Sequence, residues 1–479
     1  MKTLHLTNAW HRCSGGVATF YRALLEAANA RGHQLRLVVP ASEDRIEAVG
    51  RFGRIYHVQA PPSPYDSDYR VLWPGTYLRR RGTVAEILRQ ERPDLVEVCD
   101  KYTLHYLGGL LRLGVIGGFR PAVIGLSCER FDDTIRAYLR PAAHRLLRPL
   151  CRPYMKWLYF PLFDHHITVS EYTAEELRAA GRGHRILRGV WIRPMGVDLE
   201  RFSPQRRTPE RRRQLLDRLG CPEDATVVLY VGRLAPEKNL DLLAETMARL
   251  PGRFHLALAG SGILADSLAR NFRARGVAAS FLGHVADRDE LADLYANADV
   301  FVHPNPREPF GIAPLEAMAS GLPLVAPDRG GVRAYANPGN AWLVPPDPEC
   351  FAAAVRAAAD DAEVRAARVR AARATAERLP WPVVADDFLR LYEELYQLVK
   401  EGRNASAPQP SPDEDPDTAA QLLTKGLLGT RDRLLRLRCR IVNLRARKTD
   451  AVRGLSRASG DCHPGGLRAE PGRLPLHRL

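Results

Sequence analysis

The sequence lacks the marks of several protein classes. Its eight cysteines (Cys13, Cys99, Cys128, Cys151, Cys221, Cys350, Cys439, Cys462) are scattered, with no CxxC pair and no cluster with histidine at metal-ligand spacing, so no disulfide framework and no metal site are expected. No apolar run is long enough to span a bilayer, and the best candidate, Val115 to Cys128, is broken by Arg120 and Pro121. His5, Asn8 and His11 interrupt the apolar core that a signal peptide needs. A cytoplasmic protein is therefore expected, at most peripheral on the inner face of the membrane. Neither half of the chain carries GxGxxG after its first strand, which disfavours a nicotinamide-dependent dehydrogenase. Zinc fingers and RNP-like aromatic strands are missing too, so nucleic acid is not an expected partner.

What is present suits a large globular protein. A chain of 479 residues is too long for one core, and 45% hydrophobic residues supply material for more than one. The net charge of +15 calls for an anionic partner, either a phosphorylated substrate or a lipid surface.

Apolar periodicity alternates between strand and helix spacing. Thr3–Thr7 reads as a strand, Val17, Phe20, Tyr21, Leu24, Leu25 and Ala28 as a helix, and Leu35–Val39 as the next strand, which makes a βαβ unit. Strand candidates Leu95–Val98, Ala122–Ser127 and His165–Val169 continue it. A second series begins near Thr226, with candidates at Val227–Val231, His255–Ala259, Ser280–Leu282, Val300–His303, Leu324–Ala326 and Trp342–Val344. The expected class is α/β, two tandem Rossmann-like doubly wound domains over residues 1–195 and 196–380, facing a central cleft. Residues 381–400 form a last amphipathic helix. Residues 401–479 read as a Pro-rich linker, with Pro408, Pro410, Pro412 and Pro416, followed by a basic amphipathic tail. That tail, and the segment from Arg140 through Arg145, Arg148 and Arg152 to Lys156, are the candidate contacts to an anionic membrane surface; the default reading of both is solvated charge. Pro141, Pro149 and Pro153 argue against a continuous helix in the latter.

Three stretches carry chemistry. In Arg307-Glu308-Pro309-Phe310-Gly311-Ile312-Ala313-Pro314-Leu315-Glu316, Pro309 keeps Glu308 out of helical geometry and Pro314 suits a first helical turn. Glu308 thus sits on a loop and Glu316 inside a helix, whose open N–H groups, reached past Gly311, suit a diphosphate. Carboxylates suit sugars because they accept hydrogen bonds from paired hydroxyls. Gly232-Arg233-Leu234-Ala235-Pro236-Glu237-Lys238 follows the first strand of the second half, where ligands of open α/β sheets bind, so Arg233 and Lys238 are expected in the cleft. Ser14-Gly15-Gly16-Val17 reads as a Gly-rich turn before the first helix.

These motifs, together with Val169-Ser170-Glu171, Pro194-Met195-Gly196-Val197-Asp198 with Phe202, and Gly321-Leu322-Pro323-Leu324-Val325, resemble the GT-B-fold retaining glycosyltransferases of the large family that includes bacterial α-mannosyl- and glucosyltransferases. The likeness runs from Met1 to about Lys400. It implies a nucleotide-sugar donor, a lipid or saccharide acceptor and no cofactor or metal. It makes Glu316 the ribose ligand, Glu308 the contact to donor-sugar hydroxyls, and Arg233 with Lys238 the diphosphate pair. Gly311 and Ile312 would give backbone contacts, with Gly15 and Gly16 closing the other side. It also makes the last helix a crossover helix that returns to the first domain.

The chain departs from that pattern after the strand Ala122–Ser127, where many relatives carry a sugar-holding histidine. Ser127-Cys128-Glu129-Arg130 stands there instead, so Cys128, Glu129 and Arg130 become candidate sugar or acceptor contacts. Ala334 replaces a frequent carboxylate after Gly330-Gly331. Two other functions stay open at this level: a same-fold phosphorylase or epimerase, and a catalytically silent nucleotide-sugar binding protein.

Overall fold

The computed structural model describes residues 1–11, 15–63, 69–79, 81–139, 141–184 and 189–405. Ser14, Arg140, the proline cluster and the basic tail lie outside the described residues.

Two twisted sheets organise residues 1–403 into one compact unit. The first contains β1 (Lys2–Thr7), β2 (Gln34–Ala41), β3 (Arg45–Val49), β4 (Gly53–Gln59), β5 (Leu95–Cys99), β6 (Ala122–Ser127), β7 (His165–Thr168) and β8 (Val190–Ile192). Their order across the sheet is β3-β4-β2-β1-β5-β6-β7-β8, parallel except for the β3/β4 pair. The second contains β9 (Thr226–Val231), β10 (Phe254–Ala259), β11 (Ala279–Gly283), β12 (Val300–Val302), β13 (Leu324–Pro327) and β14 (Trp342–Val344), all parallel, in the order β11-β10-β9-β12-β13-β14. That is the doubly wound order, in which the chain reverses direction beside its first strand and opens a crevice at the strands' carboxyl ends. Strands such as β1 and β6 are buried along nearly their whole length because helices cover both faces.

Strands β3, β4 and β8 fall outside the candidates read from the sequence. β3 is an edge strand with no buried residue: Ile46 and Ala48 alternate with Arg45 and Glu47 but stay exposed, in a run of five residues too short to stand out in the sequence. The segment Pro141–Pro153 is helical throughout and continues into a π-helical turn over Tyr154–Tyr159, contrary to the break expected from its prolines. Pro141 opens the helix, where no donor is needed, and Arg145, whose carbonyl loses its partner at Pro149, is solvent-exposed.

The two halves are joined by two adjacent strands of chain: the Val197 N–H donates to Leu379 O at 2.8 Å and the Trp381 N–H to Val197 O at 3.1 Å. A Cβ on Gly196 would come within 2.8 Å of the Trp381 ring, so only glycine fits this crossing. The helix Trp381–Ala405 then packs on the first sheet's side, with Phe388 4.8 Å from Phe20 between ring centres. It runs five residues into the segment read as linker, through Glu401–Ala405, because Arg403 is anchored by the carbonyls of Arg120 and Pro121.

Candidate active site in the interdomain cleft

The carboxyl ends of the two sheets face a cleft of about 2220 Å³. Single-ligand pockets reach about 1,000 Å³, so there is room for a donor and an acceptor together.

On the second domain the site is built around Glu308. Gly311, at φ 88°, turns the chain into the helix Ile312–Ala319, a conformation that disfavours any side chain. Gly331 lies so close to the preceding loop that a Cβ there would fall 1.8 Å from Pro309 O, and its N–H donates to Glu308 O at 2.6 Å. The loop is thereby held with Glu308 nearly buried beneath it. Lys238 Nζ donates to both Glu308 oxygens at 3.1 and 2.8 Å, Asn305 Nδ2 donates at 3.0 Å, and His303 Nε2 stands 3.6 Å away. Burial alone would raise this carboxyl, but the charge of Lys238, with His303 and the hydrogen bonds, brings it down to about 2. Burial lowers His303 to about 4 against the pull of Glu308, with Lys238 acting in the direction of burial. Near neutrality Glu308 is thus ionised beside Lys238, and the His303 imidazole is neutral.

Glu316 projects from the same helix, its oxygens taken by Arg288 Nη2 at 2.8 Å and Tyr295 Oη at 3.0 Å. Arg233 reaches across the cleft, donating to Tyr69 Oη at 2.6 Å and to Glu237 Oε1 at 2.5 Å, while Tyr138 Oη donates to Glu237 Oε2 at 3.0 Å. Each of the two cations expected to meet a diphosphate therefore rests on a carboxylate. Asn239, at φ 55°, ends the cationic turn and ties it to the β12 loop through Pro304 O at 3.0 Å.

The first domain closes the opposite wall. Gly15 and Gly16 are the first two residues of the helix Gly15–Ala30 rather than a separate turn, a correction to the sequence reading. A Cβ at Gly16 would meet Ile312 Cδ1 at 3.2 Å, so the two helix starts face each other. Ser170 Oγ donates to Pro309 O at 2.5 Å, and Arg307 lies 3.5 Å from Asp133. Cys128, Glu129 and Arg130 all line the cleft, yet differently. Cys128 stands beside Cys99, and both are free thiols. Desolvation raises the Glu129 carboxyl against the pull of Lys101, and Thr134 Oγ1 donates to it at 3.1 Å. Arg130 is already engaged, by Asp132 at 3.0 and 2.8 Å and by Tyr172 O at 3.1 Å.

Similarity to known proteins follows the same division. The family profile Glycosyltransferase Family 4 matches residues 14–201 and the profile Glycosyl transferases group 1 matches residues 212–375. A GDP-mannose-dependent alpha-mannosyltransferase of Mycobacterium tuberculosis (strain CDC 1551 / Oshkosh) is 32% identical over 387 residues, 79% of this chain and 92% of the relative. The chain belongs to the group 1 glycosyltransferases. A GDP-mannose-dependent alpha-(1-6)-phosphatidylinositol dimannoside mannosyltransferase of M. tuberculosis (strain ATCC 25177 / H37Ra) is 29% identical over 361 residues, 74% of this chain and 87% of the relative. In fold, the glycosyltransferase is similar to sucrose-phosphate synthase from Thermosynechococcus elongatus, at TM-score 0.65 and 21% identity, over 83% of this chain and all of the other. It has the GT-B architecture.

In this glycosyltransferase the structure adds residues that the sequence did not single out. His303 and Asn305 complete the surroundings of Glu308, and their place just past a strand end was a signal available beforehand. Arg288, Tyr69 and Tyr138 carried none, since they reach the cleft from elements remote in sequence.

Proposed function

We propose that this glycosyltransferase moves a hexose from GDP-mannose or a UDP-hexose to a lipid or saccharide acceptor with retention of anomeric configuration and without a metal. The observation that carries the reading is the Lys238–Glu308 pair beside the open start of the helix Ile312–Ala319, with Arg233 across from it. A diphosphate seated there meets two cations and the N–H groups of a helix start, which offset the charge that grows as the glycosidic bond to phosphate breaks. The acceptor oxygen bonds to the anomeric carbon, the diphosphate leaves, and the acceptor's proton passes to a departing phosphate oxygen. Glu308, ionised and held in place, accepts hydrogen bonds from sugar hydroxyls, while Glu316 takes the ribose. The Glu129 carboxyl, raised by desolvation, stands on the acceptor side with Cys128. The names of the two mycobacterial relatives favour GDP-mannose as first donor, and one of them favours a lipid acceptor. Free thiols suit a reducing cytoplasm.

The test is a panel of nucleotide sugars screened by thermal shift, then by donor hydrolysis with and without a chelator, with the product's anomeric proton read by NMR. One nucleotide sugar should stabilise the protein and be hydrolysed slowly. Glu316→Ala should weaken its binding about tenfold, the size of a lost hydrogen bond to a charged group. An inverted product, activity abolished by the chelator, or unchanged binding in Glu316→Ala would each remove the corresponding part of the reading.

A further inference from the structure

From Thr134 to Phe163 the chain has no aspartate or glutamate, but it carries Arg136, Arg140, Arg145, Arg148, Arg152 and Lys156. This stretch leads directly out of the cleft wall, where Tyr138 and Leu139 are lining residues, into the helix Pro141–Pro153. The helix has an inner line: Cys151 is buried, and Met155 and Tyr159, on the π-helical turn that follows, are buried too. At about 100° per residue, Leu146 and Leu150 stand to one side of that line and Arg148 and Arg152 to the other. The outward residues are large and apolar to an unusual degree, with Leu146 76%, Leu150 59%, Trp157 63% and Leu158 52% exposed. Among the described residues no carboxylate pairs with Arg145, Arg148, Arg152 or Lys156; the flanking acids are spent elsewhere, Asp132 on Arg130 and Asp164 on Arg112 and Arg403.

We infer that this face docks on an anionic phospholipid bilayer, lying in its interface. Solvating four bulky apolar side chains is costly, and exposed apolar clusters of this kind mark interaction surfaces. The charge decides the partner. Uncompensated arginines beside leucines, with a tryptophan at the edge, match a surface where acyl chains lie a few ångströms below phosphates: the leucines enter, the arginine stems snorkel, and the indole sits at headgroup level. No helix among the described residues is long and apolar enough to cross a membrane, so attachment by this face would be reversible and salt-dependent. Because the patch continues from the cleft wall, docking would bring the acceptor side of the site close to the lipid headgroups. None of the patch residues is assigned a part in donor chemistry, so this inference and the proposed activity fail independently.

The experiment uses the full chain and flotation on vesicles of phosphatidylglycerol with phosphatidylcholine, against phosphatidylcholine alone. Binding should require the anionic lipid and weaken with salt. Each cation near such a surface contributes about fivefold in partition, so Arg145→Gln, Arg148→Gln and Arg152→Gln together should lower binding about a hundredfold. Leu146→Asn with Leu150→Asn should also reduce it, without moving donor hydrolysis or the melting temperature. Brominated lipid should quench the wild-type tryptophan emission more than that of Trp157→Phe, which reads this face rather than the basic tail. Equal flotation of both multiple variants, with quenching unaffected by Trp157→Phe, would assign vesicle binding to another part of the chain and overturn the inference. Binding indifferent to lipid charge would overturn it as well.

Discussion

Two carboxylates near the centres of the two sheets show how similar surroundings serve different ends. Glu97, on β5 beside β1, is fully buried and held by side-chain donors from packed elements: Tyr21 Oη at 2.8 Å, His5 Nδ1 at 3.0 Å, and Tyr392 Oη. Those donors come from three elements, the helix Gly15–Ala30, β1 and the returning helix Trp381–Ala405, and neither Glu97 nor its tyrosines line the cleft. Glu308, past the end of β12, is almost as deeply placed, yet its main partner is a lysine on a short turn that opens to the cleft. A carboxylate fastened by hydroxyls and an imidazole from packed elements has no partner to release, so its energy goes into fixing the crossover. One paired with a cation at a cleft wall can share that cation with an arriving anion.

The contrast can be broken in three ways. The largest effect is expected from Lys238→Ala, which removes the cation that Glu308 holds and that the proposed reading sets against the diphosphate. Turnover should fall about 10²–10³-fold in single-turnover transfer or donor hydrolysis, the usual size for one preorganised group; a change of threefold or less would show that Glu308 alone is what the lysine serves. Glu97→Gln should do the reverse. It presents an amide to groups that need an acceptor, so stability should drop by about 2 kcal/mol in a urea melt while donor affinity stays within about twofold. A donor defect equal to that of Glu316→Ala would erase the distinction between the two carboxylates.

The smallest effect concerns acid. Glu308 is lowered from its ordinary 4.5 to about 2, so its contribution is present above 4.5 and lost as pH falls toward 2. His303 is lowered from 6.5 to about 4, so it too favours the fold above 6.5 and costs stability as pH falls toward 4. Both act in one direction, and the stability curve should decline from about pH 6.5 downward. His303→Gln should flatten the upper part of that decline, between 6.5 and 4, and leave the lower part intact. Urea melts across this range check it; an unchanged upper limb would mean that the imidazole does not titrate with folding.

Local chemistry was legible wherever it depended on a residue and its near neighbours. Pro309 and Pro314 placed Glu308 on the loop and Glu316 in the helix, and the strand ends placed Arg233 and Lys238 at the cleft. The helix through Pro149 was misread because propensity does not register that the freed carbonyl lies at an exposed position. Edge strand β3 is short and exposed, so its brief alternation of Arg45, Ile46, Glu47 and Ala48 has no buried face behind it, and it exists because β4 offers it a free side to pair with.

By itself the sequence determined the α/β alternation, the two tandem halves, the loop and helix positions of the two glutamates, and the strand-end positions of the cations, because each follows from spacing and from proline and glycine stereochemistry. Tertiary structure alone decided which groups meet: Lys238 with Glu308 across 70 residues, Arg233 with Tyr69 across 164, and Tyr392 with Glu97 across 295. Such pairings depend on how sheets and helices stack, and side-chain spacing along a chain holds no information about distances between elements once it exceeds their length.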